Sequence, residues 1–287
     1  MSTSAEGKGA FDVKSGRTAV GEVELYYEIH EQPGPEQTGE TLILIEGLGY
    51  FTWMWYRQVP ELSRHFRVVV FDNRGVGESD TPDVPYTIRM MAEDLAGLMA
   101  RLGISKAHIL GASMGGFIAQ ELALAYPEKV DGLVLLCTSP GGPRAIPMPT
   151  ETVKALTSVA GLDPAAMLRQ MMAPALSADF ARGHSDELDK IVSWRLAKPQ
   201  PRYAWQRQYD AVNGFSADGR LDGIKAPTLI MTGMDDRVLP AGNSRLIAEQ
   251  IQQAKLVMMP GAGHLFFIER ADEVNREIVP FLRVTRR

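Results

Sequence analysis

The sequence has almost no cysteine. Among its 287 residues Cys137 is the one cysteine. A single cysteine cannot form an internal disulfide, and a cysteine-rich zinc site would need several. Nothing therefore demands an oxidising compartment, and we expect a cytoplasmic protein. Cys137 ends the apolar run 133–136, so we interpret it as a buried strand thiol without chemistry.

The sequence also lacks long apolar segments and any concentration of positive charge. No stretch approaches the roughly 18 to 20 apolar residues that a membrane span requires. The formal net charge is -5, and the Lys and Arg residues are scattered. Neither a membrane nor nucleic acid is therefore an expected partner. Residues 1–10 lack the basic segment and apolar run of a signal peptide, and we expect them to form a loose tail.

Apolar runs and helical stretches alternate along most of the chain. Runs rich in Val, Ile and Leu predict strands at 23–29, 41–45, 67–71, 107–110, 132–137, 227–232 and 255–259. The clearest helix follows Thr87, with apolar residues at three- and four-residue spacing up to Gly103. This alternation predicts an α/β fold with a mostly parallel central sheet flanked by helices.

The character of the sequence changes between Ser139 and Gly223. Four prolines cluster at its start, and the rest has Met, Leu and Trp at helical spacing without a convincing strand. Because the strand and helix pattern resumes afterwards, we expect a helical cap at 140–222, inserted into a core formed by 1–139 and 223–287.

A glycine-rich motif lies between the predicted strand at 107–110 and a helix predicted at 117–126, which Pro127 closes. It reads Gly111-Ala112-Ser113-Met114-Gly115, the G-x-S-x-G pattern of a nucleophilic serine. Glycines on both sides of so sharp a turn allow neighbouring backbone to approach. The helix that begins there would direct free N–H groups, such as that of Met114, at charge developing on a substrate. A phosphate-binding turn is the alternative, but the run lacks G-x-G-x-x-G spacing.

The serine needs a base and the base needs an acid. Of five histidines, His264 is the candidate base because it follows the flexible loop 260–263, directly after a predicted strand. The loop after the strand 227–232 offers two adjacent carboxylates, Asp235 and Asp236. From the residues alone, both remain candidates for the acid.

With these motifs the sequence resembles the α/β-hydrolase superfamily, in particular its capped esterases, lactonases and C–C hydrolases. The resemblance covers nearly the whole chain outside the insertion. A G-x-x-D-x-x-x-P pattern at 233–240 assigns the acid to Asp236, and D-x-R-G-x-G-x-S at 72–79 corresponds to a structural loop of the family. The resemblance implies a triad of Ser113, Asp236 and His264, with neither metal nor organic cofactor.

The loop after the strand 41–45 departs from the family pattern. Most relatives have His-Gly-x-Gly, whereas this chain has Glu46-Gly47-Leu48-Gly49. Because the glycines are kept, the resemblance implies that the N–H groups of Leu48 and Met114 form the oxyanion hole. Glu46 either replaces the missing histidine by bonding loop amides or brings a carboxylate close to the substrate pocket.

The resemblance implies acyl transfer from Ser113 to water. The expected substrate is a small carboxylic ester or lactone with considerable apolar surface, because the insertion carries Met, Leu and Trp faces rather than basic ones. Gly47, Trp53, Leu239 and Leu265 are expected to border it, although helix core is an alternative for Trp53.

Other functions remain open at this stage. A C–C bond hydrolase would use the same triad, and a ligand-binding receptor could keep the triad with negligible turnover. Epoxide and haloalkane hydrolases are disfavoured because they have an aspartate in place of Ser113. Since every triad residue lies outside the insertion, the sequence predicts that the cap affects specificity more than reaction with a small activated ester. The oligomeric state is not indicated.

Overall fold

The computed structural model describes residues 12–284, so the tail expected at 1–10 lies outside the described residues. Within this range the strands form one sheet. They are β1 (Asp12–Val20), β2 (Val23–Glu31), β3 (Thr41–Ile45), β4 (Arg67–Phe71), β5 (Ala107–Ala112), β6 (Val130–Leu136), β7 (Thr228–Gly233) and β8 (Lys255–Met259).

The order of the strands across the sheet is β1-β2-β4-β3-β5-β6-β7-β8. The pairs β1–β2 and β2–β4 are antiparallel, and every later pair is parallel. The predicted mostly parallel sheet is therefore confirmed. Because the strands from β3 onward share one direction, the loops that follow them meet at a single carboxyl edge, where ligands bind in open α/β sheets.

The central strands are buried on both faces, as their continuous apolar runs require. Ile43 and Ile45 of β3 pack in one hydrophobic cluster, whereas Leu42 and Leu44 pack in a second cluster on the opposite face. Strand β1 was not expected from the sequence. It lies at the sheet edge with mostly exposed residues, so it carries no apolar alternation to reveal it.

Helices cover both faces of the sheet. They are α1 (Val59–Leu62), α2 (Ile88–Arg101), α3 (Met114–Ala125), α4 (Thr150–Thr157), α5 (Pro164–Met172), α6 (Ala178–Gly183), α7 (Ser185–Ala197), α8 (Arg202–Asn213), α9 (Gly242–Ala248), α10 (Phe266–Glu269) and α11 (Ala271–Val284). Buried residues of α2, α3 and α9 join the first cluster, and those of α1, α10 and α11 join the second. Helix α2 begins where expected, because the Thr87 side chain accepts the N–H of Met90.

The helical insertion lies between β6 and β7 and contains α4 to α8. Among the described residues, its only β pairing is the isolated bridge between Gly141 and Ser216. Its exact limits at 140 and 222 stay a prediction. None of the helices in residues 12–284 combines the length and the apolar character that crossing a membrane would need.

Candidate active site

Ser113 occupies a strained turn between β5 and α3. Its φ of 55° lies in the left-handed region, which non-glycine residues rarely adopt. Hydrogen bonds hold the turn on both sides: the Ser113 N–H donates to the Leu136 carbonyl, and the Thr138 hydroxyl donates to the Ser113 carbonyl. The side chain is partly exposed at the carboxyl edge of the sheet. Strain fixed by its surroundings is typical of functional positions.

The glycines around this turn are required by close backbone approach. A Cβ on Gly111 would lie 2.2 Å from the Gly115 carbonyl oxygen, and one on Gly115 would lie 2.0 Å from the Ile45 carbonyl oxygen. Helix α3 therefore packs directly against the chain that leaves β3. This contact brings Met114, the first residue of α3, next to the loop that contains Leu48.

The loop after β3 forms a tight turn beside Ser113. The Tyr50 N–H donates to the Gly47 carbonyl at 3.2 Å, and Gly49 has a φ of 74°, which together indicate a type II turn. A Cβ on Gly47 would lie 3.3 Å from the Ser113 Cβ. The turn that carries Leu48 thus lies against Ser113, although the roles of Leu48 and Met114 as oxyanion donors stay predictions.

Asp236 and His264 lie on the loops that follow β7 and β8. The His264 Nδ1 is 2.7 Å from the Asp236 Oδ2, and the two residues are 6% and 5% exposed. The other carboxylate oxygen of Asp236 accepts the N–H groups of Val238 and Leu239 at 2.8 and 2.9 Å. A carboxylate at Nδ1 favours the tautomer with the proton on Nδ1, which leaves Nε2 as an acceptor.

The remaining histidines lie elsewhere. His30 contacts Glu28, His65 contacts Glu61, and the Nδ1 of His184 is 3.3 Å from a helix carbonyl oxygen. His108 is buried in β5, and burial lowers the pKa of its imidazole. Only His264, among the described residues, pairs with an acid at the carboxyl edge of the sheet.

Glu46 is fully buried directly before the turn. One carboxyl oxygen accepts both the backbone N–H and the side-chain N–H of Asn73, each at 2.7 Å. The other oxygen has no hydrogen-bond partner among residues 12–284. Burial, and next the charge of Asp72, raise the pKa of Glu46 well above its ordinary value. Of the two roles that the sequence left open, bonding to a loop amide is the one observed.

The loop 72–79 acts as a frame for the turn at 47–50. Asp72 accepts the N–H groups of Thr52 and Glu78 at 2.8 and 2.7 Å. Burial raises the pKa of Asp72 to about 6. Arg74 makes a buried bidentate ion pair with Asp94, at 2.5 and 2.7 Å. This ion pair therefore attaches the frame loop 72–79 to α2.

The helical insertion also contacts the loops of the candidate site. Gln208 of α8 accepts the Gly49 N–H at 3.2 Å and donates to the Arg74 carbonyl at 2.9 Å. Farther along, the Leu265 N–H donates to the Ala175 carbonyl at 2.8 Å. These contacts join the insertion to the loops of the core, and the expectation that the cap serves mainly specificity stays a prediction.

Aromatic side chains join the loop after β3 to the cap. The ring of Trp53 lies 5.1 Å from that of Trp194 and 5.4 Å from that of Tyr50. Arg195 of α7 lies over the Tyr50 ring at 4.9 Å, and its Nη2 would be 3.5 Å from a Cβ on Gly49. One basic residue of the insertion therefore reaches the turn at 47–50, where the sequence led us to expect Met, Leu and Trp faces rather than basic ones.

Cys137 directly follows β6 and is buried. Burial raises the pKa of its thiol well above the ordinary value, and the charge of Asp236 adds to the effect. The thiol is thus kept protonated beside the candidate triad, in keeping with its interpretation as a buried group.

The structure brings most of the predicted site residues to one edge of the sheet. Gly47 lies beside Ser113, Leu239 binds the Asp236 carboxylate through its N–H, and Leu265 is buried next to His264. Sequence reasoning missed Gln208 and Arg195. Their spacing in α7 and α8 carries no signal for a contact with a loop more than 140 residues earlier.

Comparison with known proteins identifies the family. The alpha/beta hydrolase fold model matches residues 40–214 and 162–271. The chain is 33% identical to "Putative carbamate hydrolase RutD" of Caulobacter sp. (strain K31), over 90% of this chain and 95% of that protein. It is also 33% identical to 2-hydroxy-6-oxononadienedioate/2-hydroxy-6-oxononatrienedioate hydrolase of Paraburkholderia xenovorans (strain LB400), with 91% of each covered. The crystal structure of the enol-lactonase from Burkholderia xenovorans LB400 superposes with a TM-score of 0.82 at 28% identity, covering 93% of this chain and all of that one. Since the family model spans well over half of the sequence, the chain belongs to the alpha/beta hydrolase fold family and is a hydrolase.

Proposed function

We propose that this hydrolase cleaves a carboxylic ester or lactone through an acyl-enzyme on Ser113. The observation that carries the proposal is the buried Asp236–His264 pair on the same sheet edge as the strained Ser113 turn. A nucleophile, a base and an acid on three separate loops are what covalent acyl transfer requires.

In the proposed reaction, the Ser113 Oγ forms a bond to the substrate carbonyl carbon while His264 Nε2 takes the hydroxyl proton. The carbonyl oxygen becomes negative and is stabilised by the N–H groups of Leu48 and Met114. Collapse breaks the bond to the leaving alcohol, which receives the proton from His264. Water then attacks the acyl-enzyme, gives a proton to His264, and frees the acid as Ser113 regains its proton. Asp236 stabilises the imidazolium in both halves.

The relatives support acyl chemistry without agreeing on one substrate. The enol-lactonase favours a lactone, and the Caulobacter protein is named for a carbamate. The Paraburkholderia hydrolase is named for dienedioates, and its 33% identity favours C–C bond cleavage as a second candidate. In this chain, the aromatic bridge of Tyr50, Trp53 and Trp194 supports a substrate with apolar surface. A cytoplasmic location remains part of the proposal.

The test combines labelling with turnover. A fluorophosphonate probe should modify Ser113 alone, as located by mass spectrometry of the digest. A panel of esters, lactones, carbamates and dienol diketones, scored by kcat/KM, should show esters or lactones as the best substrates. Ser113→Ala should lower kcat by about 10⁴-fold or more with unchanged circular dichroism.

Three outcomes would count against the proposal. Labelling at another residue would refute the assignment of Ser113 as the nucleophile. Turnover of diketones alone would favour the C–C hydrolase. Release of no more than one product per protein from every substrate would favour a ligand-binding role.

A further inference from the structure

We infer that Gln208, a residue of the cap, is a positioning residue of the oxyanion hole, because it fixes the turn that presents the Leu48 N–H. The inference rests on the proposed function, since it takes that N–H as an oxyanion donor. It means that the insertion supplies part of the support for the reacting centre and does not only cover the substrate.

Gln208 uses both ends of its side-chain amide on two different loops. Its Oε1 accepts the Gly49 N–H at 3.2 Å, and its Nε2 donates to the Arg74 carbonyl at 2.9 Å. The side chain is fully buried, so water does not compete for either bond. A buried amide in this arrangement joins the turn at 47–50 to the frame loop at 72–79.

The bond to Gly49 selects the form of the turn. Type I and type II turns differ mainly by rotation of the central peptide, which here joins Leu48 to Gly49. The φ of 74° at Gly49 is that of type II, and Gln208 accepts the N–H of this same peptide. Loss of the acceptor would leave a buried N–H without a partner and would favour rotation of the peptide.

The same turn orients the Leu48 N–H. The Gly47 carbonyl accepts the Tyr50 N–H, which fixes the plane of the peptide that joins Gly47 to Leu48. In a trans peptide the N–H is directed opposite to the carbonyl, so the Leu48 N–H is directed away from the Tyr50 amide. Gln208 therefore acts on Leu48 through a single shared turn.

Gln208 is itself held by its surroundings. The Gln200 Nε2 donates to the Gln208 Oε1 at 3.0 Å and to the Gly75 carbonyl at 2.8 Å. The frame loop is anchored by the ion pair of Arg74 with Asp94. This support fixes the acceptor relative to the core, as a preorganised oxyanion hole requires. Docking of α8 and order in the catalytic turn are thus coupled.

The experiment replaces Gln208 by Met, which keeps the volume and removes the three hydrogen bonds of the side-chain amide, to Gly49, Arg74 and Gln200. Gln206→Met on the same helix is the matched control, since Gln206 is exposed. For each protein we would measure kcat, KM, and the affinity for a trifluoromethyl ketone, which forms an oxyanion on Ser113. The alcohol of the same skeleton, which cannot form one, reports ground-state binding.

Complete removal of one oxyanion donor costs about 10²- to 10³-fold in kcat. A donor that is displaced rather than removed should cost about 10- to 100-fold, with KM changed less than about threefold. The ketone affinity should fall in proportion to kcat/KM, while the alcohol affinity and the control variant stay near wild type. Unchanged kcat, or equal losses for ketone and alcohol, would overturn the inference.

A measurement on the wild-type protein covers the case in which Gln208→Met does not fold. The Gly49 amide should be protected from hydrogen exchange in NMR spectra, and exchange at the rate of an open loop would also overturn the inference. Failure of the proposed function is recognised separately, because wild-type protein would then show neither turnover nor labelling at Ser113.

Discussion

His264 Nδ1 lies 2.7 Å from Asp236 Oδ2, whereas Asp235, the preceding residue, is exposed, and its backbone N–H donates to the Ala262 carbonyl in the loop after β8. The Asp236 N–H donates to the Gly233 carbonyl at 3.3 Å, and in the turn that this bond closes one carboxylate is buried at the imidazole while the other faces solvent. Two chemically identical neighbours therefore have different environments, and this difference can be tested directly.

Asp236→Asn should lower kcat by about 10⁴-fold, because an amide no longer holds the productive tautomer or stabilises the imidazolium. Asp235→Asn should lower it by less than about tenfold, since this carboxylate contacts neither His264 nor Ser113. Both variants would be assayed with one activated ester, after circular dichroism shows that they are folded. The reverse order of losses would contradict the assignment of Asp236.

The sequence predicts the sheet well because each central strand is recognisable from the apolar residues of its own segment. Strands β3, β4 and β8 have the predicted limits, since continuous apolar runs bounded by turn residues leave little ambiguity. The predicted start of α3 at Phe117 is three residues late. The helix begins at Met114, immediately after the strained serine. Its first turn contains two glycines, which have a low helix propensity and therefore do not predict a helix.

The cap contacts could not be predicted in the same way. Gln208 reaches Gly49 across 159 positions of sequence, and its neighbours in α8 show only an ordinary amphipathic pattern. In the sequence, Arg195 has the pattern of a solvent-exposed charge on a helix. Its position over the Tyr50 ring is set by the packing of α7. Local sequence patterns predict individual helices and strands, whereas the contacts between them depend on how the helices and strands pack.

Glu46→Gln should make stability less dependent on pH. Burial raises the pKa of Glu46 above its ordinary value of 4.5, so the folded state keeps a proton that the unfolded chain releases. Stability contributed by such a group is complete below about pH 4.5 and is lost as pH rises toward the raised pKa, by at most about 1.4 kcal/mol per pH unit. The glutamine side chain does not titrate, so the variant lacks this pH-dependent contribution to stability.

Urea unfolding of both proteins at pH 5, 7 and 8.5 checks this prediction. The difference in unfolding free energy, variant minus wild type, should increase with pH. Asp72, whose pKa burial raises to about 6, is present in both proteins and largely cancels in the difference. A difference that is constant with pH, or that decreases, would show that Glu46 is ionised in the folded protein.

Asp94→Asn should destabilise the fold by about 3 to 5 kcal/mol, because it leaves the buried Arg74 guanidinium without its bidentate partner. The double variant Arg74→Met with Asp94→Leu should recover most of the loss, since buried ion pairs are often replaced by apolar groups at little cost. Denaturant midpoints of the three proteins give the comparison. A double variant as unstable as Asp94→Asn would indicate that the loop depends on Arg74 for more than charge balance.

Arg195→Gln should change which esters the enzyme prefers. Other cap arginines, Arg144 and Arg169, pair with aspartates, whereas Arg195 has no carboxylate within 4.0 Å among residues 12–284. Its half-buried guanidinium lies over Tyr50 and next to the catalytic turn, so it is available to a negative group on a substrate. A hydrogen bond to a charged group contributes about 1.5 to 3 kcal/mol, which corresponds to about 10- to 100-fold in kcat/KM.

The measurement compares two activated esters of equal chain length, one ending in a methyl group and one in a carboxylate. Arg195→Gln should lose about 10- to 100-fold in kcat/KM on the carboxylate ester and change little on the neutral one. The exposed Arg202, replaced by Gln, is the control for a general change in the charge of the cap, and it should leave the ratio of the two esters unchanged. Added salt should reduce the wild-type preference for the anionic ester and leave that of Arg195→Gln nearly constant, because screening acts only where the cation remains. Equal losses on both esters would instead show that Arg195 supports the turn through Tyr50 and does not recognise the charge of a substrate.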